Sequence, residues 1–301
     1  MTSPISPKIT VCICTFKRPQ LLKRSLEGVA RLNTGGLFAL SIVVADNDRL
    51  ESARQVVLEF EASSLVEVCY CVEPRQNIAS ARNTALQNAK GDFIAFIDDD
   101  EFPDRDWLFT LFKAWEMYGA DGVLGPVKPF FESEPPGWVI KGGFCDRPEH
   151  SSGSKLGWRE TRTGNVLLRR QILEGHQEPF RTEFGNGGED QDFFKRMMQE
   201  GRVFIWSNEA VVYEVVPPER WKRRYMLKRA LLRGQNEKLL LNYRSIVKSV
   251  IAVPLYTLLL PFLLLMEHHI LMTYSIRLFD HVGKLFAVIG LRPIGGKYLK
   301  G

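Results

Sequence analysis

The sequence predicts an α/β protein built on a doubly wound, mostly parallel sheet, with a helical segment at its C-terminal end. Three observations carry the prediction. From Ile9 to Ile97, strand-like apolar runs alternate with helical patterns, and parallel strands need such crossover helices. One run, Phe93 to Ile97, is apolar at every position, as a strand buried on both faces must be. Three of the runs end in polar or acidic residues, at the edge where sheets of this kind bind ligands.

Ile9 to Cys14 reads as the first strand, followed by Thr15-Phe16-Lys17-Arg18-Pro19 and a helix from Gln20 to about Leu32. Ser41 to Ala45 is the second strand, ending in Asp46-Asn47-Asp48, with a helix from about Leu50 to Glu61. Val66 to Val72 is the third strand, Asn77 to Lys90 a helix rich in Ala and Asn, and Phe93 to Ile97 the fourth strand. A helix from about Asp104 to Tyr118 leads to a further strand over Gly122 to Val127. The polar, Gly- and Pro-rich stretch to about Glu160 has the length of a substrate loop or lid. Thr163 to Arg170 returns to a strand pattern, and Asn186-Gly-Gly-Glu-Asp opens a helix running to about Glu200.

With 45% hydrophobic and 25% charged residues, the 301-residue chain is long enough for one large or two small globular domains. The net charge of +5 is unevenly placed: Arg220 to Lys248 holds ten Lys or Arg and one acid, Glu237. That points to an anionic surface as partner. The run lacks interleaved aromatic platforms, which argues against nucleic acid. Of five cysteines, four form the pairs Cys12/Cys14 and Cys69/Cys71 inside strand-like runs. Each pair shares a sheet face among apolar neighbours, so core thiols are expected, in a reducing compartment. Residues 1–8 have no apolar signal-peptide core, so the N-terminal part is not expected to be exported.

The fourth strand runs straight into Asp98, Asp99, Asp100 and Glu101. A helix-capping turn needs only one or two acids. Four together would repel by several kcal/mol in a partly dry site unless a proton or a divalent cation offset them, and oxygen ligands suit magnesium or manganese. No G-x-G-x-x-G or P-loop follows the first strand, so a metal in place of a glycine cradle is expected to hold any phosphate. A second acidic pair, Glu189-Asp190, follows Gly187 and Gly188, glycines that would let a ligand approach the backbone closely.

Seven collinear motifs, VCICTFKRP, VVADND, NIASARN, AFIDDDEFPDRDWL, TGNVLLRR, GGEDQDFF and VVYEVVPPER, resemble the family 2 glycosyltransferases of the nucleotide-sugar-dependent GT-A type, over residues 8 to about 235. The closest likeness is to the bacterial exopolysaccharide, succinoglycan-type glucosyltransferase branch. The resemblance implies that Thr15, Phe16, Asp46, Arg82 and Asp98 hold the nucleotide, that Asp98 and Asp100 form the metal-binding D-x-D, and that Asp190 is the general base beside Glu189. Asp99, Asn165 and Gly188 are expected toward the donor sugar and acceptor. It further implies inversion at the anomeric carbon, with glucose from UDP-glucose as the expected donor. Two departures stand out: where some relatives supply a late metal-binding His, Glu214 follows Val-Val-Tyr, and no Q-x-x-R-W follows the base, so one sugar per encounter is expected. Transfer to a polyprenyl phosphate is the alternative within this chemistry. Nucleotidyl transfer to a sugar phosphate and a non-catalytic nucleotide-binding membrane scaffold are the alternatives outside it.

Pro217 and Pro218 suit a helix start before the basic segment. Val250 to Met266 is seventeen residues without a charge, about 25 Å of helix against a hydrocarbon core of about 30 Å. From Ile270 to Leu291, Arg277, Asp280, His281 and Lys284 share one helical face, which reads as an amphipathic helix in the membrane interface. The domain expectation is a catalytic domain over 1–216 (nucleotide half 8–104, acceptor half 105–216), a basic amphipathic helix over 217–248 and a membrane-associated segment over 249–301. The basic run would place the catalytic domain on the cytoplasmic face of a bacterial inner membrane, with a lipid-linked saccharide as acceptor.

Overall fold

The computed structural model describes residues 6–185, 187–236, 243–291 and 293. The chain divides into two compact units, residues 1–129 with 147–214, and residues 130–146 with 215–301.

The first unit is the doubly wound α/β body. Strands β1 (Lys8–Thr15), β2 (Ala39–Asp46), β3 (Glu67–Val72) and β4 (Phe93–Ile97) pair in parallel in the order β3-β2-β1-β4. Their crossovers are the helices α1 (Pro19–Ala30), α2 (Arg54–Ser63) and α3 (Ile78–Asn88). The expected strand over 122–127 divides into β6 (Gly122–Leu124), which joins the large sheet, and β7 (Val127–Phe130), which belongs to a small sheet with β5 (Glu101–Pro103) and β10 (Val212–Val215). Strand β8 (Asn165–Arg169) lies antiparallel between β4 and β6, and β9 (Phe204–Trp206) closes a seven-stranded sheet.

Alternate strand residues feed two cores. On one face Ile9, Val11 and Ile13 meet Leu22, Leu26 and Val29 of α1 and Trp107, Leu111 and Phe112 of α4 (Trp107–Tyr118). On the other, Cys12, Val43 and Ala45 meet Ala79 and Ala85 of α3 and Phe193, Phe194 and Met197 of α6 (Glu189–Gln199). All five cysteines are free thiols, and burial pushes those of Cys14 and Cys71 up to about 12. Cys12, Cys14, Cys69 and Cys71 pack in or against the second core.

The second unit contains the short helix α5 (Gly137–Lys141) and the helices α7 (Arg223–Asn236), α8 (Tyr243–Leu263) and α9 (His268–Val288). Segment 130–146, expected inside the catalytic domain, groups with these helices. The single basic helix expected over 217–248 is corrected. A 3-10 turn at Pro218–Trp221 precedes α7, and Arg244 and Lys248 already lie on the apolar α8. Glu237 to Asn242 and residues 294–301, parts of the expected basic and membrane segments, lie outside the described residues, as does Asn186.

Part of the polar stripe of α9 faces its neighbouring helices: Asp280 accepts from Arg233 Nε at 2.8 Å, and His281 Nδ1 lies 2.9 Å from Ser249 Oγ. Gly234 and Gly283 permit this approach, since a Cβ on either would fall 2.2 Å from a backbone oxygen of the facing helix. Beyond Lys248, what α8 leaves outward is mostly apolar: Ile251, Leu258 and Phe262 are exposed. It is the one described helix long and apolar enough to cross a membrane, with a mean hydropathy of 2.0 over its most apolar window, of which only 17% is buried. A soluble core helix would be mostly buried.

Candidate active site

The carboxyl ends of β1, β2 and β4 lie side by side, so Thr15, Asp46 and the turn after Ile97 share one edge. Asp46 is fully buried and accepts from Asp48 N (3.0 Å), Ala53 N (2.8 Å) and Tyr70 Oη (2.9 Å). It therefore shapes the loop after β2. Asn47 ties that loop to the next strand end through Glu73 O and Arg75 O. Phe16 lies half-buried on the loop after β1, with Lys17 Nζ 5.2 Å from its ring centre.

Thr15 Oγ1 donates to Asp99 Oδ2 at 2.7 Å. Arg18 Nη1 reaches Asp100 Oδ2 at 3.1 Å and Asp99 Oδ1 at 3.4 Å. Arg82, buried on α3, pairs with Glu189 and lies 3.7 Å from Asp98 Oδ1. One guanidinium thus joins the acidic turn to the start of α6, where Asp190 follows Glu189. Gly188 takes a left-handed φ of 95° as the residue before that helix, a conformation natural to glycine. On β5, Glu101 turns inward to Arg147 Nη1 (3.6 Å), which also bonds Glu214. Glu214 is therefore a partner of Arg147 across the β5/β10 pair, where it sits opposite Glu101.

Asn165, expected toward the donor sugar and acceptor, has its side chain engaged within the fold. Its Oδ1 accepts from Trp107 Nε1 (2.8 Å) and its Nδ2 donates to Pro126 O (2.9 Å) and Ala210 O (2.7 Å), all fully buried. It braces β8 and has no donor left for a sugar. The neighbouring Gly164 faces the acids: a Cβ there would lie 2.7 Å from Glu101 Oε1.

Desolvation carries Asp99 up to about 7, with Asp100 adding and Arg18 and Thr15 opposing. Burial likewise takes Glu189 up to about 7 against the pull of Arg82, and holds Glu101 well above the usual carboxylate range. Asp98 is also raised by its desolvating surroundings, but with 43% of its side chain exposed, solvent screens it most. Arg162, missed in the sequence, lies in this field. Burial first and Arg147 second depress its pKa, while Asp190 opposes them.

Among the described residues no three His, Cys, Asp or Glu side chains form a ready-made metal cage. The acids nevertheless fit a divalent cation. They form an oxygen-only set, and Glu101 Oε1 is buried without a hydrogen bond. A magnesium-like ion needs only one or two carboxylates when phosphates complete its shell. Arg18, Arg147 and Arg162 were not foreseen. Arg18 had a signal, its place directly after the first strand, whereas Arg147 lies in an irregular stretch with none.

A parallel sheet with an acid turn beyond its central strand, facing an acidic helix start, defines a protein of the GT-A class. The solved structures agree on the fold. The mannosyltransferase PcManGT from Pyrobaculum calidifontis, in complex with GDP-Man and Mn2+, aligns with a TM-score of 0.64 at 18% identity, covering 95% of this chain and 87% of that one. S. aureus TarS 1-349 in complex with UDP-GlcNAc aligns at 0.54 and 15% identity, over 95% and 93%. Residues 10–176, more than half of the chain, match the Glycosyl transferase family 2 model. The chain is also 37% identical over 237 residues to the succinoglycan biosynthesis protein ExoM of Rhizobium meliloti (strain 1021), covering 77% of this chain and 75% of ExoM. The chain belongs to glycosyl transferase family 2.

Asn165→Ala would leave Trp107 Nε1 and Ala210 O without their partner at about 1–3 kcal/mol each, while Pro126 O keeps its bond from Val212 N. It should therefore cost at least about 2 kcal/mol in urea unfolding while the folded fraction keeps its nucleotide affinity, and lost affinity without lost stability would return Asn165 to the sugar site. The raised acids set a pH dependence. Asp99 and Glu189 are ionised in both states above about 7 and protonated in both below the ordinary values of 3.8 and 4.5. Between those limits the folded protein holds the extra protons, so its stability falls as pH rises. Urea unfolding of the unligated protein from pH 5 to 8 should show this fall, and Asp99→Asn should flatten it.

Proposed function

We propose that this protein is an inverting, metal-dependent glycosyltransferase that moves one sugar from a nucleotide-sugar to a lipid-linked saccharide at the cytoplasmic face of a bacterial membrane, in surface polysaccharide synthesis. The observation that carries the chemistry is Arg82, which pairs with Glu189 and lies 3.7 Å from Asp98. It brings the acid turn and Asp190 to one place. The 37% identity to a succinoglycan biosynthesis protein supports the polysaccharide setting, and glucose from UDP-glucose is the donor we propose within it.

Thr15, Phe16, Asp46 and Arg82 line the nucleotide side, and Asp98 and Asp100 would hold the divalent ion. When bound, that ion supplies positive charge to the diphosphate leaving group. Asp190, in the first turn of α6, accepts the proton of the acceptor hydroxyl as it attacks. Glu189 is committed to Arg82 and positions it. Attack opposite the diphosphate inverts the anomeric carbon, with no covalent enzyme intermediate.

The membrane reading rests on the exposed apolar side of α8 together with Arg244 and Lys248 at its start. Basic residues beside an apolar helix are drawn to anionic headgroups. A lipid-linked acceptor gives the attachment a purpose, since the donor is soluble.

Asp190→Asn should abolish transfer with nearly unchanged UDP affinity by calorimetry; an equal fall in both would exclude it as the base. Replacing the exposed Leu258 and Phe262 together by Asp should move the protein from the membrane pellet to the soluble fraction, and continued sedimentation with vesicles would contradict attachment through α8.

A further inference from the structure

The acid turn is neutralised by three arginines held in different ways. Arg82 is buried, its side chain 8% exposed, with its charge shared between Glu189 and Asp98 and its guanidinium 5.6 Å from the Phe180 ring centre. Arg147 is bound between Glu101 and Glu214, with 20% exposed. Arg18 is the most open, with 31% exposed, and lies on Asp99 and Asp100. Those two carboxylates hold the pole of the turn next to Thr15.

The backbone places Arg18 there deliberately. Lys17 has a left-handed φ of 56°, which costs a non-glycine residue energy. Pro19 fixes the first turn of α1 immediately afterwards. Between these two constraints Arg18 precedes the helix without capping it, and its side chain turns back over the acids.

Asp100 Oδ2 is thus occupied by a cation in the unligated protein. A guanidinium and a divalent ion on one carboxylate repel each other, so metal alone must compete with Arg18 for this oxygen. A diphosphate changes the balance. It brings its own negative charge next to Asp100 and offers the released guanidinium a bidentate partner.

We infer that Arg18 is a resident counter-cation that blocks metal from the empty acid turn, is displaced when metal arrives with a nucleoside diphosphate, and then binds that diphosphate. This rests on the donor reading above. It makes metal and donor binding interdependent, a property of Arg18 that the acid motif by itself lacks.

The test is Mn2+ binding to the full-length protein, read by loss of the free-ion electron paramagnetic resonance signal, without nucleotide and with UDP, GDP and dTDP in turn. Arg18→Gln should bind Mn2+ alone about tenfold more tightly than the unaltered protein, and the nucleotide with Mn2+ about tenfold more weakly. Arg18→Lys, which keeps the charge, should stay near the unaltered protein in both. The opposite signs distinguish displacement from a structural role, because an Arg18 that merely organised the turn would weaken both affinities when removed. Unchanged or weaker binding of Mn2+ alone in Arg18→Gln, beside tight nucleotide-dependent Mn2+ binding in the unaltered protein, overturns the inference and leaves the donor reading standing. Absence of Mn2+ binding with every nucleotide in the unaltered protein overturns both.

Discussion

Four consecutive carboxylates at the end of a fully buried strand are the constraint on which the rest of the active-site unit depends. Repulsion among Asp98, Asp99, Asp100 and Glu101 opposes folding, and burial increases it by excluding water. The fold answers with protons and with guanidinium groups. Asp99, Glu101 and Glu189 are shifted toward their neutral forms, while Arg18 approaches Asp99 and Asp100, Arg82 approaches Glu189 and Asp98, and Arg147 approaches Glu101. None of these arginines is near the acids in sequence. The turn is tolerable only once the loop after β1, helix α3 and the segment before β8 have all docked, so the site and the tertiary structure form together.

Sheet order explains how so few residues make this edge. Parallel pairing of β2, β1 and β4 places Thr15 beside Asp46 and near the end of β4, so ligand groups from three distant loops share one rim. The antiparallel β8 then closes the side beyond β4, with Asn165 opposite Ile97. The pleat turns the Asn165 amide into the wall and leaves Gly164 toward Glu101. The glycine is the adaptation to the acids here: any side chain would fill the space that Glu101 occupies. The small sheet repeats the logic, with Glu101 opposite Glu214 around Arg147 and, on the next residues, Phe102 stacked on Tyr213 with ring centres 5.4 Å apart.

The four parallel strands, their crossovers and the acid turn were legible because each is a local pattern: period, apolar run, abrupt charge. The family was legible because seven motifs occur in order. The division of 122–130 into strands of two sheets was not, since Val127 is as apolar as Val123 and only pairing partners separate them. The bracing bonds of Asn165 were hidden for a related reason. A polar residue at a strand start looks like a ligand group until Trp107, Pro126 and Ala210 are seen to saturate it. Arg147 was invisible because an ion pair between distant segments leaves no spacing in the sequence.

The helical unit shows the same limit from the opposite direction. The spacing of Arg277, Asp280, His281 and Lys284 correctly identifies one face of α9, but periodicity says only that the face is polar. It does not say what the face meets. In this unit the polar groups are used between helices, through Arg233–Asp280 and Ser249–His281, and glycine contacts bring α7 and α9 close. The apolar residues of α8 are left outside. That arrangement is unfavourable in water, where the driving force is to bury Leu and Phe and expose charge. It becomes favourable where the surroundings are themselves apolar and close packing at small residues holds helices together. Under the membrane attachment proposed above, the helical unit is suited to a different solvent from the sheet.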